Sequence, residues 1–363
     1  MYDIMISGYY GFNNSGDDAI LLAIINDLRK IKKDVRIVVL SKNPKETAAS
    51  YGVDSIDRFN LFRVIGAMRK TRLFLNGGGT LITDITSTRS LAYYLSTIYL
   101  AKLNGLKVML YANGVGPITK GFNRYFTSKI INLVDIITLR EEASGQELKS
   151  LGIGRPEILV TADPALGLDA AGPEEIERLL SKENIPADKP LIGFFIRKWA
   201  GYNEYSRVIA QAADYVEESF NAKAVFIPLH FPSDLAVARD IASKMEHEPF
   251  ILSNMYSVDK LLGVMKRLQL VLGMRLHALI YSVSLSIPVI GLIYDPKVQG
   301  FLEYVDQPSA GNVSDLKPEG LESLIDEVWN SRSEISRKME ENNPLLRRKA
   351  SMNAEIAIKL LEK

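Results

Sequence analysis

The chain has 363 residues, of which 47% are apolar, and this length favours two α/β domains, each with its own core. The 44 basic and 43 acidic residues give a formal net charge of +1, which excludes the global positive field of a nucleic-acid-binding protein. There is no cysteine, so disulfides, thiolate catalysis and cysteine-ligated metal sites are excluded.

The amino terminus lacks the basic and apolar regions of a signal peptide, and the apolar runs are too short or too interrupted to span a membrane. We therefore expect a cytoplasmic protein, at most peripheral at the inner face of the membrane. The Asp and Glu residues show no metal-ligand spacing, and we expect neither a metal nor a cofactor.

Short β-branched runs alternate with segments of helical periodicity, which is typical of parallel sheets built from βαβ units. The strands predicted in the first half are 3–7, 35–40, 73–76, 107–112, 136–139 and 158–161, and the helices are 17–30, 90–103, 121–133 and 141–151. The strands predicted in the second half are 191–196, 224–228, 250–252, 268–272 and 288–292.

Breaks at 162–164 and 170–173, rich in Ala, Gly, Pro and Asp, predict a boundary between these halves. The expected domains are residues 1–168 and 169–340. Residues 341–363 have apolar positions at helical spacing and are predicted to form a terminal helix that can cross back to the first domain.

Glycine-rich segments follow three strands of the first half. In the first, residues 8–18, Asn14 and Asp17 are candidates to meet sugar hydroxyls, and an equally weighted alternative is that they cap the next helix. The next two segments favour close approach of a ligand at the sheet edge, although a neighbouring helix could also approach the glycines. Their candidate residues are Asn76, Gly77, Gly78, Gly79 and Asn113.

In the second half, predicted strand ends deliver charged side chains. Arg197 and Lys198 follow the first strand, where a carboxylate or phosphate site and a solvated strand end are both open. His230 follows the second strand, and a lone histidine there is either structural or a candidate site residue. Gly273, Arg275 and His277 stand where a strand gives way to an apolar helix. Cations are disfavoured at a helix N-terminus unless an anion accompanies them, so this pattern predicts an anionic ligand.

With these residues in view, the chain resembles the polysaccharide pyruvyl transferase family, and within it the CsaB-type enzymes. The resemblance covers nearly the whole chain through the order of its motifs. These are GYYGFNNSGDDAIL at 8–21, NGGGTL at 76–81, ANGVGP at 112–117, LREEAS and LKSLG within 139–152, TADPAL at 161–166 and, most specific, GMRLHALI at 273–280.

The resemblance implies a GT-B-like fold, two Rossmann-like doubly wound domains facing a cleft, with phosphoenolpyruvate (PEP) as donor on the second domain and the acceptor on the first. Arg275 and His277 match the family's RxH pair, and Arg197 matches an arginine that ends the first strand of the second domain. His277 is then the expected acid–base group, while Arg197 and Arg275 are expected to hold PEP. The implied acceptor is N-acetylmannosamine in a lipid-linked disaccharide or oligosaccharide precursor of a secondary cell-wall polymer that anchors surface-layer proteins.

Residues 58–72 carry five cations, no acid and apolar residues at helical spacing. The pattern predicts either a basic amphipathic helix that contacts an anionic membrane or an ordinary sheet-covering helix with a solvated basic face. Two other functions stay open for the whole chain. One is a GT-B glycosyltransferase with a nucleotide-sugar donor, and the other is a non-catalytic carbohydrate- or anion-binding protein.

Overall fold

The computed structural model describes residues 1–85, 87–186 and 188–363. The chain divides into two compact units, Met1–Gly167 with Leu346–Lys363, and Leu168–Leu345. Each unit contains one parallel sheet with helices between its strands, which confirms the predicted α/β class. No helix in the described ranges is long and apolar enough to cross a membrane.

The first unit is built on a seven-stranded sheet in the order β3-β2-β1-β4-β5-β6-β7. The order reverses between β1 and β4, as in doubly wound folds. Its strands are β1 (Tyr2–Ser7), β2 (Ile37–Ser41), β3 (Asp54–Asp57), β4 (Thr71–Ile82), β5 (Lys107–Val115), β6 (Ile136–Leu139) and β7 (Glu157–Val160). Its helices are α1 (Ser15–Ile31), α2 (Pro44–Tyr51), α3 (Leu61–Met68), α4 (Thr88–Leu103), α5 (Gly121–Ile131) and α6 (Glu142–Ser150).

The second unit repeats this plan with six strands in the order β10-β9-β8-β11-β12-β13, and the order reverses between β8 and β11. Its strands are β8 (Leu191–Phe195), β9 (Lys223–Phe226), β10 (Phe250–Ile251), β11 (Leu268–Gly273), β12 (Val289–Ile293) and β13 (Ser309–Asn312). Its helices are α7 (Pro173–Lys182), α8 (Tyr202–Phe220), α9 (Ser233–Ala242), α10 (Val258–Met265), α11 (Leu276–Ser284) and α12 (Pro296–Tyr304), and α13 (Pro318–Glu362) closes the chain.

Two apolar cores cover the two faces of the first sheet. Buried residues of α3, α4 and α5 pack on one face, and those of α1 and the end of α13 pack on the other. Asn353 of α13 binds the Thr161 hydroxyl at 2.8 Å, and Arg72 donates to the Leu361 carbonyl at 2.8 Å. The end of the terminal helix therefore packs on the first unit, as predicted.

The predicted start of the terminal helix was wrong, because α13 begins at Pro318 and runs without a break through Pro344. The prediction rested on apolar positions at helical spacing within residues 341–363, and it did not extend the helix to the residues before them. The helix is continuous through Pro344, with the side chain of Asn343 donating to the Val283 carbonyl at 3.0 Å and to the Ser286 hydroxyl at 2.8 Å.

Residues 58–72 do not form a single helix, which corrects one prediction. The helix covers only Leu61–Met68, and Thr71 and Arg72 already belong to β4. Arg58 is 6% exposed, donates to the Gly8 carbonyl at 2.8 Å and lies 4.2 Å from the ring centre of Tyr93. Its charge is therefore buried inside the first unit and is not part of a basic surface.

Asp18, in the first turn of α1, makes stability depend on pH. Burial raises the pKa of its carboxyl to about 6, although Tyr51 donates a hydrogen bond that opposes the shift. Between pH of about 4 and 6 the folded chain keeps a proton that the unfolded chain has released, so stability falls as pH rises through this window. We expect Asp18→Asn to raise the free energy of unfolding by about 3 kcal/mol at pH 8 and to leave it unchanged near pH 4.

Urea unfolding followed by circular dichroism at the two pH values measures this difference. Asp34→Asn is the matched control, because the Asp34 side chain is 86% exposed and its removal should change neither value. An equal effect of Asp18→Asn at both pH values would contradict the assignment.

Candidate active site

The carboxyl edge of the second sheet collects the charged residues predicted from the second half. Four neighbouring strands, β9, β8, β11 and β12, run parallel and end at this edge. The pairing of Gly273 with Phe195, and the bond from the Met274 amide to the Phe195 carbonyl at 3.0 Å, bring the ends of β8 and β11 together. The strand order reverses here, where open α/β sheets form their ligand crevices.

Arg275 is the N-cap residue of α11, directly after β11. Its Nε donates to the Asp234 carboxylate at 2.9 Å and its Nη2 binds the other oxygen of the same carboxylate. Within the part of the chain that the structure describes, Nη1 makes no hydrogen bond, so one end of the guanidinium keeps its donors. The Arg275 guanidinium is thus held in one orientation by its two bonds to Asp234.

Asp234 is the residue that sequence reasoning missed. It is 3% exposed, and the same carboxylate accepts from the amides of Leu229 at 3.3 Å and His230 at 3.1 Å. Asp234 does not cap α9, because the N-cap of that helix is Pro232, with no side-chain capping bond. The available signal was the rule that a cation at a helix start requires an anion, and Asp234 supplies part of that negative charge.

Arg197, two residues beyond β8, lies between aromatic rings. Its guanidinium is 5.0 Å from the ring centre of Trp199 and 4.8 Å from that of Tyr294, and it donates to the Tyr294 hydroxyl at 3.1 Å. Tyr294 follows β12 and was not predicted. The two rings limit the movement of the guanidinium. Tyr294 accepts from one of its five N–H donors and leaves the other four.

Tyr294→Phe tests whether this arrangement positions Arg197 for a donor. The substitution keeps the ring and removes one hydrogen bond to a charged group, so we expect KM for the anionic donor to rise about fivefold with little change in kcat. Tyr215→Phe is the matched control, since it removes the bond from Tyr215 to Asp326 (2.8 Å) at the opposite end of α8. An unchanged KM in the Tyr294 variant would contradict the positioning role.

The two histidines occupy different places at this edge. His277 lies in the first turn of α11, and its ring centre is 6.0 Å from that of Tyr281. His230 follows β9, and its Nδ1 is 3.0 Å from the Ser233 hydroxyl. Lys198 is exposed, and its ammonium lies over the ring of Tyr202 in α8, 5.5 Å from the ring centre.

The structure accounts for several predicted glycines without a ligand. A Cβ on Gly273 would come within 2.9 Å of Leu279, and a Cβ on Gly77 or Gly78 would meet Tyr10 at 2.7 Å or Ile20 at 2.1 Å. Gly78 also has a φ of +58°, which L side chains rarely adopt. The close approach is therefore made by the chain's own packing at Gly77 and Gly78, and β4 continues through the glycines to Ile82.

The polar candidates of the first unit lie against other parts of the same unit. Asn14 caps α1 by accepting from the Gly16 amide at 3.1 Å, and Asp17 lies beside Gly79, whose added Cβ would be 3.4 Å from the carboxylate. Asn76 and Asn113 are fully buried and joined by a 3.4 Å hydrogen bond. Contact between these residues and an acceptor sugar stays a prediction.

The family model described as polysaccharide pyruvyl transferase matches residues 14–296, more than half of the chain. The chain belongs to the polysaccharide pyruvyl transferase family. It is therefore a transferase that moves pyruvyl groups to polysaccharide. A similar curated protein is the amylovoran biosynthesis protein AmsJ of Erwinia amylovora, 21% identical, with the match covering 93% of this chain and 94% of that protein.

Similar solved structures show the fold. Anabaena HepE in complex with UDP and glucose has a TM-score of 0.66 at 13% identity, covering 100% of both chains. MnaA of S. aureus with UDP has a TM-score of 0.67 at 14% identity, covering 97% of this chain and 94% of that one. The UDP-GlcNAc 2-epimerase of Neisseria meningitidis has a TM-score of 0.65 at 13% identity, covering 99% and 100%. The GT-B-like fold implied by the resemblance is confirmed.

Proposed function

We propose that the donor is PEP and that it binds at the carboxyl edge of the second sheet. The observation that carries the proposal is the anchoring of Arg197 and Arg275 at adjacent strand ends, each with guanidinium donors left over. PEP bears a carboxylate and a phosphate on one carbon, so it needs two anion-binding groups close together. Two restrained arginine forks suit that pair of anions better than they suit a neutral sugar.

The chemistry follows from the donor. A proton is added to C3 of PEP, one acceptor hydroxyl attacks C2, and the C2–O bond to phosphate breaks. The second hydroxyl then attacks C2 and completes the ketal. Of the two hydroxyl protons, one balances the proton gained by C3 and the other leaves with phosphate. His277, in the first turn of α11 beside Arg275, is the proposed acid–base group, because an imidazole can exchange protons near neutral pH.

For the acceptor we propose N-acetylmannosamine within a lipid-linked disaccharide or oligosaccharide precursor of a secondary cell-wall polymer. The resemblance to CsaB-type enzymes supports this choice, and its product would serve to anchor surface-layer proteins. The similarity to a protein named for amylovoran biosynthesis also supports a role in polysaccharide biosynthesis.

Donor consumption tests the proposal. The protein is incubated with PEP and tagged N-acetylmannosamine disaccharides, and phosphate release is measured together with the mass and NMR spectrum of the product. We expect equal amounts of phosphate and of a pyruvate ketal. Release of UDP from UDP-sugars with no phosphate release from PEP would instead identify a glycosyltransferase, and saturable binding without turnover would identify a binding protein.

A further inference from the structure

The surface formed by α3, α4 and α5 concentrates positive charge. Between residues 58 and 132 there are eleven basic residues and one acid, which leaves 33 basic and 42 acidic residues in the rest of the chain. Of the eleven, Arg58 is buried and two others form ion pairs with acids that lie outside this range. The one acid within the range, Asp84, is 6% exposed and accepts from the Thr119 and Lys120 amides and from Asn123. Burial opposes ionisation, but these hydrogen bonds lower the pKa of Asp84 to about 2. Asp84 is therefore ionised at neutral pH, but its single negative charge offsets only one of the eleven basic residues.

The same surface exposes aromatic side chains. In the described part of the chain four phenylalanines are exposed, and all four lie here: Phe59 at 60%, Phe62 at 91%, Phe122 at 72% and Phe126 at 41%. Tyr125 beside them is 58% exposed. Soluble proteins rarely cluster large exposed apolar side chains unless the cluster binds something.

Contacts between the helices make these residues one continuous surface. Phe59, before α3, is 6.1 Å from the Tyr93 ring of α4. Lys120, before α5, donates to the Thr88 hydroxyl at the start of α4 at 3.0 Å. The N-termini of α4 and α5 are thus adjacent, and the residue before α3 contacts the second turn of α4. We call this surface the basic aromatic face; it comprises Phe59, Phe62, Phe122, Tyr125 and Phe126 with the exposed cations Arg63, Arg89, Lys120 and Lys129.

We propose that the basic aromatic face docks on an anionic lipid bilayer. Basic residues around exposed aromatic side chains are the composition that binds the interface of such a membrane, because the cations meet anionic headgroups while the rings enter the acyl boundary. The proposal extends the prediction made for residues 58–72 to two further helices and moves it away from the buried Arg58. It goes beyond the proposed donor chemistry and does not depend on it, although it agrees with a lipid-linked acceptor.

The positive charge of the basic aromatic face favours an anionic bilayer over a second copy of the chain. A symmetric dimer through this face would place two strongly positive surfaces against each other, which opposes association. Nucleic acid is disfavoured by the formal net charge of +1, because the chain as a whole has no positive field that attracts a phosphate backbone. Both occupants remain as outcomes of the experiment.

The test is sedimentation with phosphatidylcholine vesicles that contain or lack phosphatidylglycerol. We expect the wild type to bind only the anionic vesicles and to dissociate as salt is raised. Phe62→Ser/Phe122→Ser should lower the partition coefficient about tenfold, and Arg63→Glu/Lys120→Glu should lower it by a similar factor. Leu345→Ser is the matched control, because Leu345 is 60% exposed in the second unit and its loss should not alter partitioning.

Equal binding of the wild type and both face variants, or no binding of the wild type, would overturn the proposal. So would a dimer of the wild type that the Phe62→Ser/Phe122→Ser variant loses, or tight binding of an RNA or DNA oligonucleotide without vesicle binding. Phosphate release from PEP with a soluble acceptor is measured in parallel. Vesicle binding that fails while phosphate release persists rejects the docking surface alone, and the reverse result rejects the proposed function alone.

Discussion

Arg275→Ala is expected to lower kcat/KM for PEP by about 10³-fold. In the proposed reaction the guanidinium binds the anionic donor while phosphate departs. The substitution therefore removes charge stabilisation from the transition state. Arg275→Lys should recover little activity, because a lysine cannot span both oxygens of Asp234 and still present a donor to PEP. Steady-state kinetics with varied PEP measure both losses.

A structural role for Arg275 must be separated from a role at the donor. Removing the arginine alone leaves Asp234 buried and uncompensated, which should cost about 3 kcal/mol of stability. The double variant Arg275→Ala/Asp234→Asn removes that charge, while the oxygen of the introduced side-chain amide can still accept from the amides of Leu229 and His230. We expect it to regain stability in thermal unfolding but not turnover. Recovery of turnover together with stability would show that Arg275 only neutralises Asp234.

The contact with Asp234 weakens one argument made from the sequence. A cation at a helix start requires an anion, and the sequence pattern assigned that anion to a ligand. Asp234, 41 residues earlier in the chain, fills part of that requirement. Sequence spacing cannot reveal such a pair, because it depends on β9 and β11 ending at the same edge with β8 between them.

Alternation of strands and helices predicted both parallel sheets and most strand positions, since buried parallel strands form continuous apolar runs. It missed β3 and β13, whose sequences, DSID and SAGN, are short and polar edge strands. The residues after Asn76 were assigned to a loop because glycine disfavours strands. Instead β4 continues, since Tyr10 and Ile20 fill the space a side chain would need.

The candidate site was predictable where a side chain follows directly from a strand end. Arg197, His230, Arg275 and His277 all lie at the carboxyl edge of the second sheet, as the strand predictions require. Tyr294 was not predicted, because a tyrosine after a strand has no distinguishing pattern until Arg197 is seen against its ring. Likewise the sequence alone does not distinguish Arg58 from the four other cations of residues 58–72. The structure does, because it packs Arg58 against the rings of Tyr93 and Tyr94.

His277→Ala is expected to lower kcat by about 10³-fold with a small change in KM for PEP. Its position in the first turn of α11, two residues after Arg275, places an imidazole beside the proposed donor site. Because general acid–base groups act in one protonation state, the variant should also lose one limb of the pH profile of kcat, a change that mere loss of packing against Tyr281 does not produce.

The chain offers a close control in His247, which lies after α9 and bonds to Glu218 at 3.1 Å in the same unit. His247→Ala should keep both kcat and the full pH profile. His277→Gln separates proton transfer from hydrogen bonding, since glutamine can donate and accept but does not titrate. A glutamine variant with near-normal kcat and an unchanged pH profile would mean that His277 orients substrate and that the proton of C3 comes from another group; His230, at the end of β9, would then be the next residue to replace.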